Sequence, residues 1–212
     1  MTKIIGIFGG LGTGKTLSLV ILALMYKKEG YKIYTNMSNS LFADYSMENF
    51  FSLYLNPQTI DNEPKLLAID EMHIYLNSRE SMSIQNKIIT SLIFQSRKRN
   101  IDIAFTTQRI KNIDIRLRDL INIYIFPKII KRNPDNSPAI IQWKIVNDND
   151  KYKTVNIKIT PEILQAYNTA EIIPILNLKE YISKLSDDYQ KLFINNNAKD
   201  LNNSPVDKLF EQ

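Results

Sequence analysis

Cysteine is absent from the 212 residues, which excludes disulfides and cysteine-held zinc. There is a single histidine, His73, which argues against a histidine-based metal site as well. No apolar run is long enough to cross a bilayer. The longest, LSLVILALMY at 17–26, falls short of the ~20 residues that a spanning helix needs. A secretory pattern is lacking too, because glycines interrupt the apolar residues near the N-terminus. What remains is ordinary for a globular chain: 44% hydrophobic and 23% charged residues, with length for one substantial core. The net charge of +5 and pI near 9.2 are compatible with a nucleic-acid partner without requiring one.

Glycine is scarce, with six in all, and five of the six fall between Gly6 and Gly14. Ile4, Ile5, Ile7 and Phe8 precede most of them and read as a short buried strand. Leu17, Leu19, Val20, Ile21, Leu24 and Met25 follow at helical spacing. Between strand and helix, Gly9-Gly10-Leu11-Gly12-Thr13-Gly14-Lys15-Thr16 satisfies G-x-x-x-x-G-K-[ST] at every fixed position. Glycines let successive backbone N–H groups converge on a phosphate, and the helix that starts there favours an anion at its free N–H groups. In such a cradle Lys15 reaches the β- and γ-phosphates, and the Thr16 hydroxyl ligates Mg²⁺.

Further along, GYKIYTN at 30–36 reads as a second strand, and Leu66 to Ile69 in PKLLAIDEMHIYL as a third. The third ends in two acids. Asp70, at the tip of a central strand, is placed to hold Mg²⁺, and Glu71 to orient a water for in-line attack on the γ-phosphate. Ile84, Ile88, Ile89, Leu92 and Ile93 predict an amphipathic helix that closes on Arg97-Lys98-Arg99-Asn100. IDIAFTTQ at 101–108 is a buried strand whose polar end, Gln108, is placed to sense the γ-phosphate or the attacking water. LINIYIFP at 120–127 reads as another strand, closed by its proline. Strands alternating with helices predict an α/β fold with a mainly parallel sheet. Two alternating runs in 139–159 flank Asn147-Asp148-Asn149-Asp150 and predict a C-terminal β-hairpin. An amphipathic helix from Leu178 to Phe193 follows. These readings give one domain over 1–194, with a core at 1–135, an extension at 136–194, and a tail at 195–212.

The succession GGLGTGKT, LLAIDE, SRKRNIDIAFTTQ and IDIRLRDLINIYIF resembles the FtsK/HerA superfamily of P-loop ATPases over residues 3–128. It is similar above all to the viral genome-packaging type, as in archaeal turreted icosahedral viruses, and to zonula occludens toxin-like and filamentous-phage assembly ATPases. The resemblance implies a RecA-like sheet of core order 5-1-4-3-2 and an ATP-hydrolysing motor that moves double-stranded DNA. It implies a homo-oligomeric ring, such as a hexamer, with capsid or membrane-vertex proteins as further partners. The expected location is the host cytoplasm, or the virion or procapsid. Carried by position, Lys15 and Thr16 match the phosphate loop, Asp70 and Glu71 the metal and water positions, and Gln108 the sensor.

The superfamily also places an arginine from a neighbouring subunit just before the sensor strand, which points to Arg97 or Arg99, with Arg116 and Arg118 as rivals. Candidate DNA contacts are Arg79, Arg109, Lys111, Lys128, Lys131 and Arg132. His73 and Trp143 read as structural. Two alternatives stay open at this stage: a phage-type assembly or secretion ATPase, and a nucleoside or nucleotide kinase sharing the cradle and the acid pair.

Overall fold

The computed structural model describes residues 2–37, 41–47, 63–74, 93–94, 96–147 and 151–166. The helix expected from Ile84 lies largely outside them. The helix expected over 178–193, the tail and Arg79 lie wholly outside.

Strand β1 (Ile4–Phe8) is buried at all five positions, as befits a parallel strand covered on both faces. Helix α1 (Lys15–Lys28) lays Leu17, Leu19, Val20 and Ala23 against the sheet and ends on Lys27 and Lys28, cations that suit a helix C-terminus. Then come β2 (Lys32–Thr35), the two-residue β3 (Tyr45–Ser46) and β4 (Lys65–Ile69). Strand β5 (Ile101–Thr107) has all seven residues buried. The turn Ser96–Arg99 leads into β5 through Asn100, whose φ of 53° is a left-handed stop of the kind expected there. A single helical turn, α2 (Ile115–Arg118), precedes β6 (Ile123–Arg132), β7 (Pro138–Asn147), β8 (Tyr152–Lys158) and the short α3 (Pro161–Gln165).

The strands form one sheet of order β3-β2-β4-β5-β1-β6-β7-β8. All pairings are parallel from β3 to β6, and those of β6, β7 and β8 are antiparallel. Setting β3 aside, the parallel core runs fifth, first, fourth, third, second, which is the order that the resemblance implied. The expected hairpin around Asn147 is present as β7 and β8.

One expectation needs correction. Pro127 does not close its strand, because β6 continues to Arg132 and turns through Asn133–Ser137 into β7. Among the described residues, strand β6 pairs with β1 only from Ile123 to Ile125 and beyond that with β7 alone. A proline is tolerated where one edge of a strand is unpaired. The sheet therefore passes without a break from its parallel core into a three-stranded meander.

That meander packs back on the start of α1. Ile125, Ile141 and Trp143 join Leu17, Leu19 and Val20 in one apolar cluster. The Trp143 indole N–H donates to Ser18 Oγ at 2.8 Å, and Ser18 in turn donates to the Gly14 carbonyl at 2.8 Å. Replacing Trp143 with Phe keeps an aromatic ring and deletes the donor. Unfolding free energy is expected to fall by about 1 kcal/mol, read as a lower urea midpoint at unchanged slope. An unmoved midpoint would mean that the bond contributes nothing.

Candidate active site

Register puts the ends of three strands level. Phe8 pairs with Thr107 and Ile69 with Phe105, so Gly9, Asp70 and Gln108 emerge at the same carboxyl edge of the sheet. In open α/β sheets this edge is where ligands bind.

The loop after β1 turns through Gly12 and Gly14 at φ of 72° and 94°, values that cost a residue with a side chain about 1–2 kcal/mol. Space is closed at Gly14 as well: a Cβ there would lie 2.7 Å from the Ile141 δ-methyl. The meander thus rests directly on the loop. Lys15 is 7% exposed, and its ammonium donates to the Gly10 carbonyl at 3.0 Å, as does the Thr13 hydroxyl. Free N–H groups at the start of α1, with the lysine among them, make a cradle for an anion.

Asp70 lies across from the cradle and is 5% exposed. The Thr16 hydroxyl donates to its Oδ2 at 3.0 Å, and the Thr106 hydroxyl donates to its Oδ1. Burial pushes the Asp70 carboxyl above its ordinary value, while the two hydroxyls and the Lys15 charge oppose that shift. Its backbone is clamped as well. The Asn36 side-chain amide donates to the Asp70 carbonyl and accepts from the Asp70 N–H, each at 2.8 Å. Thr16 and Asp70 thereby present hard oxygen donors side by side, the kind that a small divalent cation takes. Among the described residues no cluster of three or more acidic, His or Cys side chains offers a protein cage. This donor set instead suits a cation completed by water and phosphate oxygens.

Glu71 follows in a left-handed conformation at φ 53°, a strained backbone for a glutamate. Its N–H donates to Thr106 Oγ1 at 2.9 Å, which holds the turn. Its Oε2 lies 3.1 Å from His73 Nδ1, yet both atoms are buried without an aligned hydrogen bond. The sole histidine, expected to be structural, stands against the second acid. Trp143 reaches the cradle through Ser18. Gln108 is exposed just past β5. Thr106 and Asn36 escaped the sequence reading. The visible signals were a hydroxyl inside the apolar strand AFTT and an amide ending GYKIYTN.

The arginines separate. Arg99 is half-buried in the turn before β5, while the Arg97 side chain lies outside the described parts. Arg116 is bound two-pronged to Asp114, its Nε and one terminal nitrogen each donating at 2.8 Å. It is committed within its own chain. Arg118 is half-buried, with its Nε lacking a hydrogen bond.

Comparison with known proteins shows the family and a shared fold. The model of the "ATPase family associated with various cellular activities (AAA)" matches residues 5–128. No curated protein matches the chain in sequence. The structure is similar to the N-terminal domain of zonular occludens toxin from Neisseria meningitidis, with a TM-score of 0.54 at 18% identity over 79% of this chain and 100% of that one. It is also similar to the genome packaging NTPase B204 from Sulfolobus turreted icosahedral virus 2 in complex with ATP-gammaS. There the TM-score is 0.52 at 12% identity over 72% of this chain and 96% of that one. EssC (ATPases 2 and 3) from Geobacillus thermodenitrificans gives 0.52 at 17% identity over 89% of this chain and 44% of that one. At these identities the likeness is one of fold.

Two outcomes follow from the geometry. Thr106→Val removes a donor to a buried carboxylate and the acceptor of the Glu71 N–H. It is expected to lower stability by about 2–3 kcal/mol in urea denaturation, whereas a surface-like loss under about 0.5 kcal/mol would contradict the network. Hydrogen bonding from Arg116 holds Asp114 below the usual aspartate value. A lowered folded value means that its stabilisation is present above about pH 4 and is lost as pH falls through the lowered value. The stability gap between wild type and Asp114→Asn is therefore expected at pH 7 and should shrink at pH 3. A gap that widens on acidification would overturn this.

Proposed function

The chain belongs to the ATPase family associated with various cellular activities and is an ATPase. From that premise we propose that it is a DNA-translocating motor subunit that packages double-stranded viral DNA and works as a homo-oligomeric ring. The observation carrying the hydrolytic part is the turn at Glu71, where a second acid directly follows Asp70 on a strained, left-handed backbone held by Thr106. A protein that only binds a nucleotide needs no acid there. The DNA part is supported by the fold shared with a genome packaging NTPase and by the basic excess.

In this reading the loop from Gly9 to Thr16 cradles the phosphates, and Lys15 neutralises charge on the β- and γ-phosphates. Thr16 and Asp70 hold Mg²⁺, which supplies electrostatic stabilisation of the phosphate oxygens when bound. Glu71 orients the attacking water and takes up its proton, so that the water oxygen bonds to the γ-phosphorus as ADP leaves. Gln108 senses the γ-phosphate. Arg99 or Arg97 of a neighbouring copy neutralises transition-state charge, a role that Arg116 is too committed to fill. A secretion or assembly ATPase is the second reading, favoured by the likeness to the zonular occludens toxin domain and to EssC.

The test is steady-state hydrolysis of ATP with Mg²⁺ across protein concentrations, with and without duplex DNA. Activity is expected to rise with both, and Glu71→Gln should lower kcat by about 100-fold or more. A rate independent of concentration and indifferent to DNA would overturn the motor reading. Phosphate transfer to an added nucleoside would replace it with a kinase.

A further inference from the structure

The register of the meander sorts its side chains into two faces. Ile125, Pro127, Ile129, Ile141 and Trp143 point to α1, since Pro127 pairs with Trp143 and Ile129 with Ile141. Directly paired residues share a face. Phe126 with Lys144, Lys128 with Gln142, Lys131 with Ile140, and Ile140 with Lys158 therefore fall on the opposite side. Lys128, Lys131, Lys144 and Lys158 are all exposed there. The three strands carry six of the chain's 27 cations and none of its 22 carboxylates, and these six exceed the whole net charge of +5. The three strands thus form a local basic surface on a sheet extension remote in sequence from the phosphate loop.

We infer that this outward face of β6, β7 and β8 is where the sugar–phosphate backbone of duplex DNA lies, with Lys128, Lys131, Lys144 and Lys158 as its contacts. Complementary charge selects a polyanion, and lysines at phosphates position a duplex without reading its sequence. Phe126 packs its ring 6.0 Å from that of Phe8, and Lys144 sits 5.4 Å over the Tyr152 ring, which stays largely exposed. The choice of a duplex over single strands comes from the motor reading. The face is also tied to the nucleotide site, because the opposite side of the same strands touches Gly14 and Ser18. This assignment rests on the DNA-motor reading and adds where the DNA binds.

The experiment is fluorescence anisotropy of a labelled ~30-base-pair duplex with the full chain. Wild type is compared with the fourfold variant Lys128→Ala, Lys131→Ala, Lys144→Ala and Lys158→Ala, and with Arg109→Ala/Lys111→Ala. The fourfold variant is expected to bind at least about tenfold more weakly, with a salt slope shallower by about 3, and to keep its DNA-free ATPase rate. If wild type binds the duplex and the fourfold variant binds equally well, this inference falls while the motor reading stands. Loss of binding in Arg109→Ala/Lys111→Ala instead would overturn it too. Wild type binding no duplex, but binding phosphatidylglycerol vesicles through the same lysines, would overturn both readings and make the face a membrane surface. Tighter binding of single strands than of duplex would likewise overturn it.

Discussion

A carboxylate buried to 5% exposure is costly unless its oxygens are matched, and the site is built around meeting that requirement at Asp70. Each group that meets it comes from a different element. Thr16 brings α1, Thr106 brings β5, and the Asn36 amide brings the end of β2 to the backbone of Asp70 itself. Strand β4 ends at this junction, and the N–H of the next residue is also held by Thr106. The left-handed turn at Glu71 follows from that arrangement, because the chain must leave the strand sharply while both carboxylates stay at the sheet edge. Asp70 and the turn at Glu71 thus share one mechanical unit, in which displacing any hydroxyl would expose the charge it matches.

A second constraint holds the phosphate loop from its other side. Gly14 is crowded by Ile141, and the Gly14 carbonyl is reached by Ser18, which Trp143 holds in turn. The same strands that press on the loop carry the basic face outward. A change in the loop would be felt across the thickness of one sheet, a short path from the phosphate loop to the basic face.

Much of this was legible in the chain. Strand, glycine loop and helix were written in Ile4 to Met25, because the motif needs all three at fixed spacing. Asp70 and Glu71 were legible because acids seldom end an apolar run without purpose, and the strand order came with the resemblance. The extent of β6 was not legible. Proline usually ends a strand, and only the pairing partners reveal that beyond Ile125 one edge is unpaired among the described residues. Asn36 and Thr106 were hidden for another reason: a lone amide or hydroxyl gains meaning only when folding brings it against the backbone or the carboxylate of a residue 34 or 36 positions away. His73 carried no pattern in sequence, and its approach to Glu71 depends on the turn between them.

The account stands on Asp70 and Thr16 forming a joint cation and phosphate site. Calorimetric titration of a non-hydrolysable ATP analogue, with and without Mg²⁺, tests that most directly in wild type and Asp70→Asn. Wild type is expected to bind the analogue about tenfold or more tightly when Mg²⁺ is present, and Asp70→Asn to lose that enhancement while still binding the metal-free analogue. An equal Mg²⁺ enhancement in both proteins would contradict the account.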